Sequence, residues 1–175
     1  RSCATANRQS RSSSRMDAVT VRIVALLAVA AGASLCATCG VSHALMRQAN
    51  LLLSTLVSVN GVLIAVAPER FAQLYAAPHV YATQMTGVMR LTGAFMIAIA
   101  GLLCVQEPRR SAASVGFGAA AIAVAFVGQG VLNDAWVPEW NAAYSAVLAL
   151  YAFASLKYAA DVAADDNDER SAKRR

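Results

Sequence analysis

Charge is what this sequence lacks. Asp, Glu, Lys and Arg make up 14% of the 175 residues, against about 25% in ordinary soluble domains. The charged residues are also not spread along helical faces, as a water-facing surface requires. Long uncharged runs alternate with short charged knots, and 58% of the chain is hydrophobic. A soluble globular fold is thereby excluded. Paired carboxylates, zinc-ligand spacings, a phosphate loop and a nucleophile elbow are all missing, so no standard catalytic motif is available. No stacking aromatics are interleaved with the basic residues, which excludes a nucleic-acid groove despite the net charge of +5. The four cysteines, Cys3, Cys36, Cys39 and Cys104, are too scattered for a disulfide framework.

What is present is a series of apolar runs long enough to cross a bilayer, which takes about 20 helical residues. Four are expected as membrane spans, at about 50–67, 81–105, 111–133 and 140–157. The third carries no charge at all. Pro68, Pro78, Pro108 and Pro138 fall in the links between the runs, where a residue without an N–H does least damage. Within the first link, Phe71, Leu74 and Tyr75 stand three and four apart, the spacing of a short amphipathic helix lying at the membrane surface. The expected fold class is all-α, a transmembrane bundle of four helices comprising residues 45–160, preceded by one further hydrophobic segment. Residues 161–175 are expected as a charged, solvated tail.

Residues 1–44 read as a targeting leader. The first fifteen contain four Arg, five Ser and no acid, the composition of an organellar transit segment, although a start at Met16 is an equal alternative. Residues 23–41 are an uncharged run of 19. They fit either the core of a signal peptide cleaved near Ser42–Ala44 or a fifth helix. An organellar membrane, of plastid or mitochondrion, is preferred over the secretory pathway or plasma membrane.

Across the four spans, Arg47, Arg109, Arg110, Lys157 and the basic residues of the tail share one side of the bilayer, while Arg70, Glu69, Asp134 and Glu139 share the other. The positive-inside rule places the first side inside. Adding the five Arg of residues 1–22 to the opposite side nearly cancels that bias.

Few residues could carry chemistry. Arg90 lies within a span, where an unpaired charge costs about 2.5–3.5 kcal/mol at mid-membrane. It is expected either to pair with Asp134 or Glu139 or to snorkel to the headgroups. Asn60, Gln84, Gln129 and Asn141 are amides in or near spans. Such groups usually tie helices together, and Asn60, Arg90 and Gln129 could instead form a pocket for a lipid head, quinone or pigment. Cys36 and Cys39 make a CxxC without a second pair or a following His. His79 stands alone in a link and is a poor metal or chlorophyll ligand. Small residues recur every fourth position at Ala112, Gly116 and Ala120, at Gly93 and Gly101, and at Ala142 and Ala146, which permits close helix approach.

The segments APERFAQLYAAP (67–78) and GVMRLTGAFMIAIAGLL (87–103) resemble those of the small DoxX-like four-helix membrane proteins. In that family a Pro and acid turn ends one helix, and an Arg and Gly pair opens the next. The resemblance covers roughly residues 48–158 and implies a four-helix bundle, but it carries no activity and no site residue. The leader and the apolar run before Arg47 depart from it. The reading that follows is a non-enzymatic membrane protein embedded in the lipid bilayer, acting as an accessory or scaffold subunit beside other membrane-protein subunits. The alternative is a module that binds or transports a lipid, quinone or pigment, and a redox enzyme built on Cys36 and Cys39 comes last. No cofactor is identified.

Overall fold

A computed structural model describes residues 2–75, 86–132 and 138–173, with side chains at 19–75, 86–129 and 139–173. The described residues are almost wholly helical, in the order α1 (Ser2–Cys39), α2 (His43–Val66), α3 (Pro68–Tyr75), α4 (Thr86–Val105), α5 (Pro108–Leu132) and α6 (Pro138–Lys173). Five of them are long and apolar enough to cross a membrane, and α1 contributes Val19–Cys39 to that set. The chain is therefore an integral membrane protein. Its long apolar side chains face outward, as Leu52, Val66, Val105 and Val124 do, because lipid, not water, is the solvent they meet.

The boundaries follow local chemistry. Gly40 ends α1 in the left-handed region, at φ 73°, with its N–H on the Cys36 carbonyl at 3.2 Å. Glycine takes that conformation without steric cost. Two residues later, the Ser42 hydroxyl caps α2 by accepting from the Leu45 N–H. Three of the four prolines are helix openers rather than link residues. Pro68, Pro108 and Pro138 each stand first in a helix, where the missing N–H would have had no helical partner. Pro78 lies outside the described residues. The link between α4 and α5 is only Gln106 and Glu107.

The charged C-terminal segment is helical, since α6 continues to Lys173. Ala159, Ala160, Ala163 and Ala164 favour helix, Lys157 and Asp161 pair one turn apart at 2.6 Å, and Asp166 and Glu169 precede Arg170 and Lys173 by four residues. Residues 163–173 are exposed. The helix runs about 24 Å beyond Lys157.

Packing divides the spans into two tight pairs, α2 with α4 and α5 with α6, while α1 lies along α6. Glycine sets the first pair. A Cβ on Gly93 would lie 2.5 Å from the Gly61 carbonyl oxygen and 2.6 Å from the Ala65 nitrogen, so the two backbones are in direct contact. In the second pair, Gly116 receives Ser155 and Leu156 of α6. The predicted stripe through Gly93 does not extend to Gly101, which has nothing within 4 Å.

The two pairs are joined along one antiparallel seam between α2 and α6. His43 Nδ1 meets the Tyr158 hydroxyl at 2.7 Å, the Ser155 hydroxyl donates to Met46 Sδ at 3.9 Å, and the Tyr151 hydroxyl donates to Asn50 Oδ1 at 2.7 Å. All three contacts lie toward the end of the bundle that carries Arg47, Arg109, Arg110 and Lys157, here called the basic end.

Candidate apolar cavity between the helix pairs

Beyond Asn50 the seam opens. The next positions in the same register are Leu53 with Leu148, Val57 with Tyr144, and Asn60 with Asn141. All six line a cavity of about 690 Å³ between the two pairs, within the roughly 300–1,000 Å³ of small-molecule sites. Its walls come from five helices, α2 to α6, and are almost entirely apolar. Met96, Ile99 and Leu102 belong to α4, and Val115, Ala119 and Ile122 to α5. Consecutive helices α4 and α5 thus form opposite walls and barely pack on one another. Gly118 also lines the space, and a Cβ there would meet nothing within 4 Å.

The acidic end of the cavity, toward Glu69 and Glu139, holds its buried polar groups, whereas Gln106 and Ser114 at the other end are exposed. Asn60 and Asn141 are buried, at 6% and 5% exposure. Each anchors its amide on a main-chain carbonyl: Asn60 Nδ2 donates to Leu56 at 2.8 Å, and Asn141 Nδ2 donates to Phe126 across to α5 at 2.6 Å. Buried amides in a membrane demand such partners. The Tyr144 hydroxyl faces the Asn60 side chain. Around them stand aromatic rings. Phe71 packs on Tyr75 at 4.7 Å, Tyr75 meets Trp140 edge-on at 4.6 Å, and Tyr144 stacks on Phe126 at 5.7 Å. The short helix α3 exists to deliver Phe71 and Tyr75 to this position. Pro68 starts it, and Phe71 is buried. Tyr and Trp suit a membrane boundary, where one edge of the ring stays polar.

The candidate residues read from the sequence are dispersed. Asn60 lines the cavity; Arg90 and Gln129 do not. Arg90 is exposed, and among the described residues no acid lies within ion-pair distance of it. Gln129 is exposed and has a partner. Glu139 is exposed at the start of α6, while Asp134, Gln84 and His79 lie outside the described residues. Cys36 and Cys39 are free thiols at the end of α1, well away from the cavity lining.

Asn60 is brought to Asn141, an amide already visible in the sequence, rather than to Arg90 and Gln129. Sequence reasoning missed Tyr144, Trp140 and Phe126. The available signal was the spacing of Trp140, Asn141 and Tyr144 along one face of α6. No protein-family model, curated protein or solved structure matches this chain.

Proposed function

We propose that this is a non-enzymatic membrane protein that binds, and in doing so stores or passes on, a lipophilic molecule from the surrounding bilayer. The observation that carries the reading is the cavity of about 690 Å³, apolar along its length and furnished with two buried amides and a tyrosine at one end. Ligand sites have this composition, an apolar lining with a few placed polar groups. The accessory-subunit reading drew on small-residue faces. Gly61, Gly93 and Gly116 are already used in packing within the chain, which leaves the cavity as the stronger basis. The two short segments like those of DoxX-like proteins are compatible with either role. The Arg- and Ser-rich leader favours an organellar membrane, with the secretory pathway or plasma membrane as the alternative.

Gly118→Phe tests the reading because it fills the cavity from a position with no neighbour to displace. Native mass spectrometry of protein extracted in mild detergent should show a bound small molecule on the parent chain and its loss from the variant. The variant's thermal stability should be unchanged or raised, since phenylalanine is the better helix former. Equal occupancy in the two proteins would overturn the proposal, and a protein partner co-purifying with both in its place would favour the subunit reading.

A further inference from the structure

We infer that the cavity selects an uncharged amphiphile with a long hydrocarbon tail, its hydroxyl or carbonyl head at Asn60, Asn141 and Tyr144 and its tail running toward Leu53 and Gln106. The inference rests on the ligand-binding reading above and narrows it to one chemical class.

Charge decides the head. None of the residues lining the cavity is Lys, Arg, His, Asp or Glu, so a phosphate, carboxylate or ammonium placed there would be desolvated with no counter-charge. The polar groups that are present are neutral. A carboxamide carries two N–H donors and an acceptor oxygen. Anchoring one N–H on a helix carbonyl, as Asn60 and Asn141 both do, fixes the group while leaving it able to meet a hydroxyl or carbonyl. Their burial makes them selective, because in a dry site an unmatched head loses its hydrogen bonds to water and gains none.

Shape decides the tail. From Thr92 on α4 to Gln106 just beyond its end, the lining runs about 21 Å at 1.5 Å per residue. That is some two thirds of the roughly 30 Å hydrocarbon core. A long, extended hydrocarbon tail fits along this length, and the apolar walls suit it.

The test uses the full chain carrying Trp136→Phe, so that Trp140 at the acidic end is the sole indole. The probes are stearyl alcohol, stearyl sulfate and stearyl trimethylammonium, each brominated on the carbons next to the head, with stearyl alcohol brominated at the far end of the chain as the comparison. Trp140 emission should be quenched saturably by the head-brominated alcohol and hardly by the tail-brominated one. The two charged probes should bind at least about tenfold more weakly. Gly118→Phe in the same background should abolish the saturable phase.

Equal affinity for charged and uncharged heads, with Gly118→Phe still blocking, would overturn the head assignment and leave the ligand-binding reading standing. Quenching from the tail but not the head would overturn the orientation. Quenching by every probe that Gly118→Phe leaves untouched would overturn the inference and the reading beneath it together.

Discussion

Replacing Gly93 by alanine adds one methyl group at the tightest point of the α2–α4 pair. That methyl carbon would stand 2.5 Å from the Gly61 carbonyl oxygen, 2.6 Å from the Ala65 nitrogen and 3.0 Å from the Ala65 Cα. Ordinary contact begins near 3.4 Å, so the helices must part by about 0.9 Å locally. All three opposing atoms are main chain, and no rotamer change can make room. Overpacking of this kind costs about 1–3 kcal/mol. The bond from the Ser54 hydroxyl to the Ala100 carbonyl, 2.7 Å long and two turns along the same interface, would stretch with it. Alanine's better helix propensity returns about 0.8–1.0 kcal/mol, leaving a net loss of up to about 2 kcal/mol. Gly101→Ala, on the same helix with nothing within 4 Å, gains the propensity alone and should stabilise by up to about 1 kcal/mol. Unfolding of both variants in mixed micelles by titrated SDS, followed by circular dichroism, measures the difference. Two variants that shift the midpoint the same way would refute direct backbone contact as the organising feature of this pair.

Tyr151→Phe removes the donor that holds Asn50 Oδ1 in the buried seam between α2 and α6. A loss of about 0.6–1.7 kcal/mol is expected by the same titration. Arg90→Leu should leave stability within about 0.5 kcal/mol of the parent, because Arg90 is exposed and its charge is free to meet headgroups. A loss above about 1 kcal/mol would point instead to a buried pairing.

The membrane spans were legible because hydropathy reads solvent, and the solvent here is lipid. The short helix α3 was legible too, from the spacing of Phe71, Leu74 and Tyr75 after a proline. What hydropathy does not encode is azimuth. In a soluble helix the apolar stripe points to the core, whereas on α4 Val88, Leu91 and Phe95 face outward and are as apolar as buried Leu103. The facing of α2 and α6, and hence the placing of Asn60 and Asn141 on one cavity, therefore left little trace in the pattern beyond the spacing of Trp140, Asn141 and Tyr144. Arg90 drew attention for its charge alone, and its position on an outward face explains why it joins no polar cluster among the described residues. The C-terminal helix escaped for the opposite reason. Residues 161–173 are polar on every side, and their helicity rests on alanine content and on charges four apart rather than on a buried face.

The two ends of the cavity are fastened by very different means. At the basic end, the Gln106–Glu107 link and the three contacts between α2 and α6 act as a hinge: they forbid sliding and leave rotation as the one cheap relative motion. At the acidic end, among the described residues, α6 is held to α3 by the edge-on pair of Tyr75 and Trp140, worth about 0.5–1.5 kcal/mol, and to α2 by the Tyr144 hydroxyl at the Asn60 side chain. Over an arm of about 21 Å, a swing of roughly 10° carries the ends about 4 Å apart. Loosening of the contacts at that end would thus expose the interior sideways to the bilayer, like a door that opens on the edge away from its hinge, with the three seam contacts at the basic end intact.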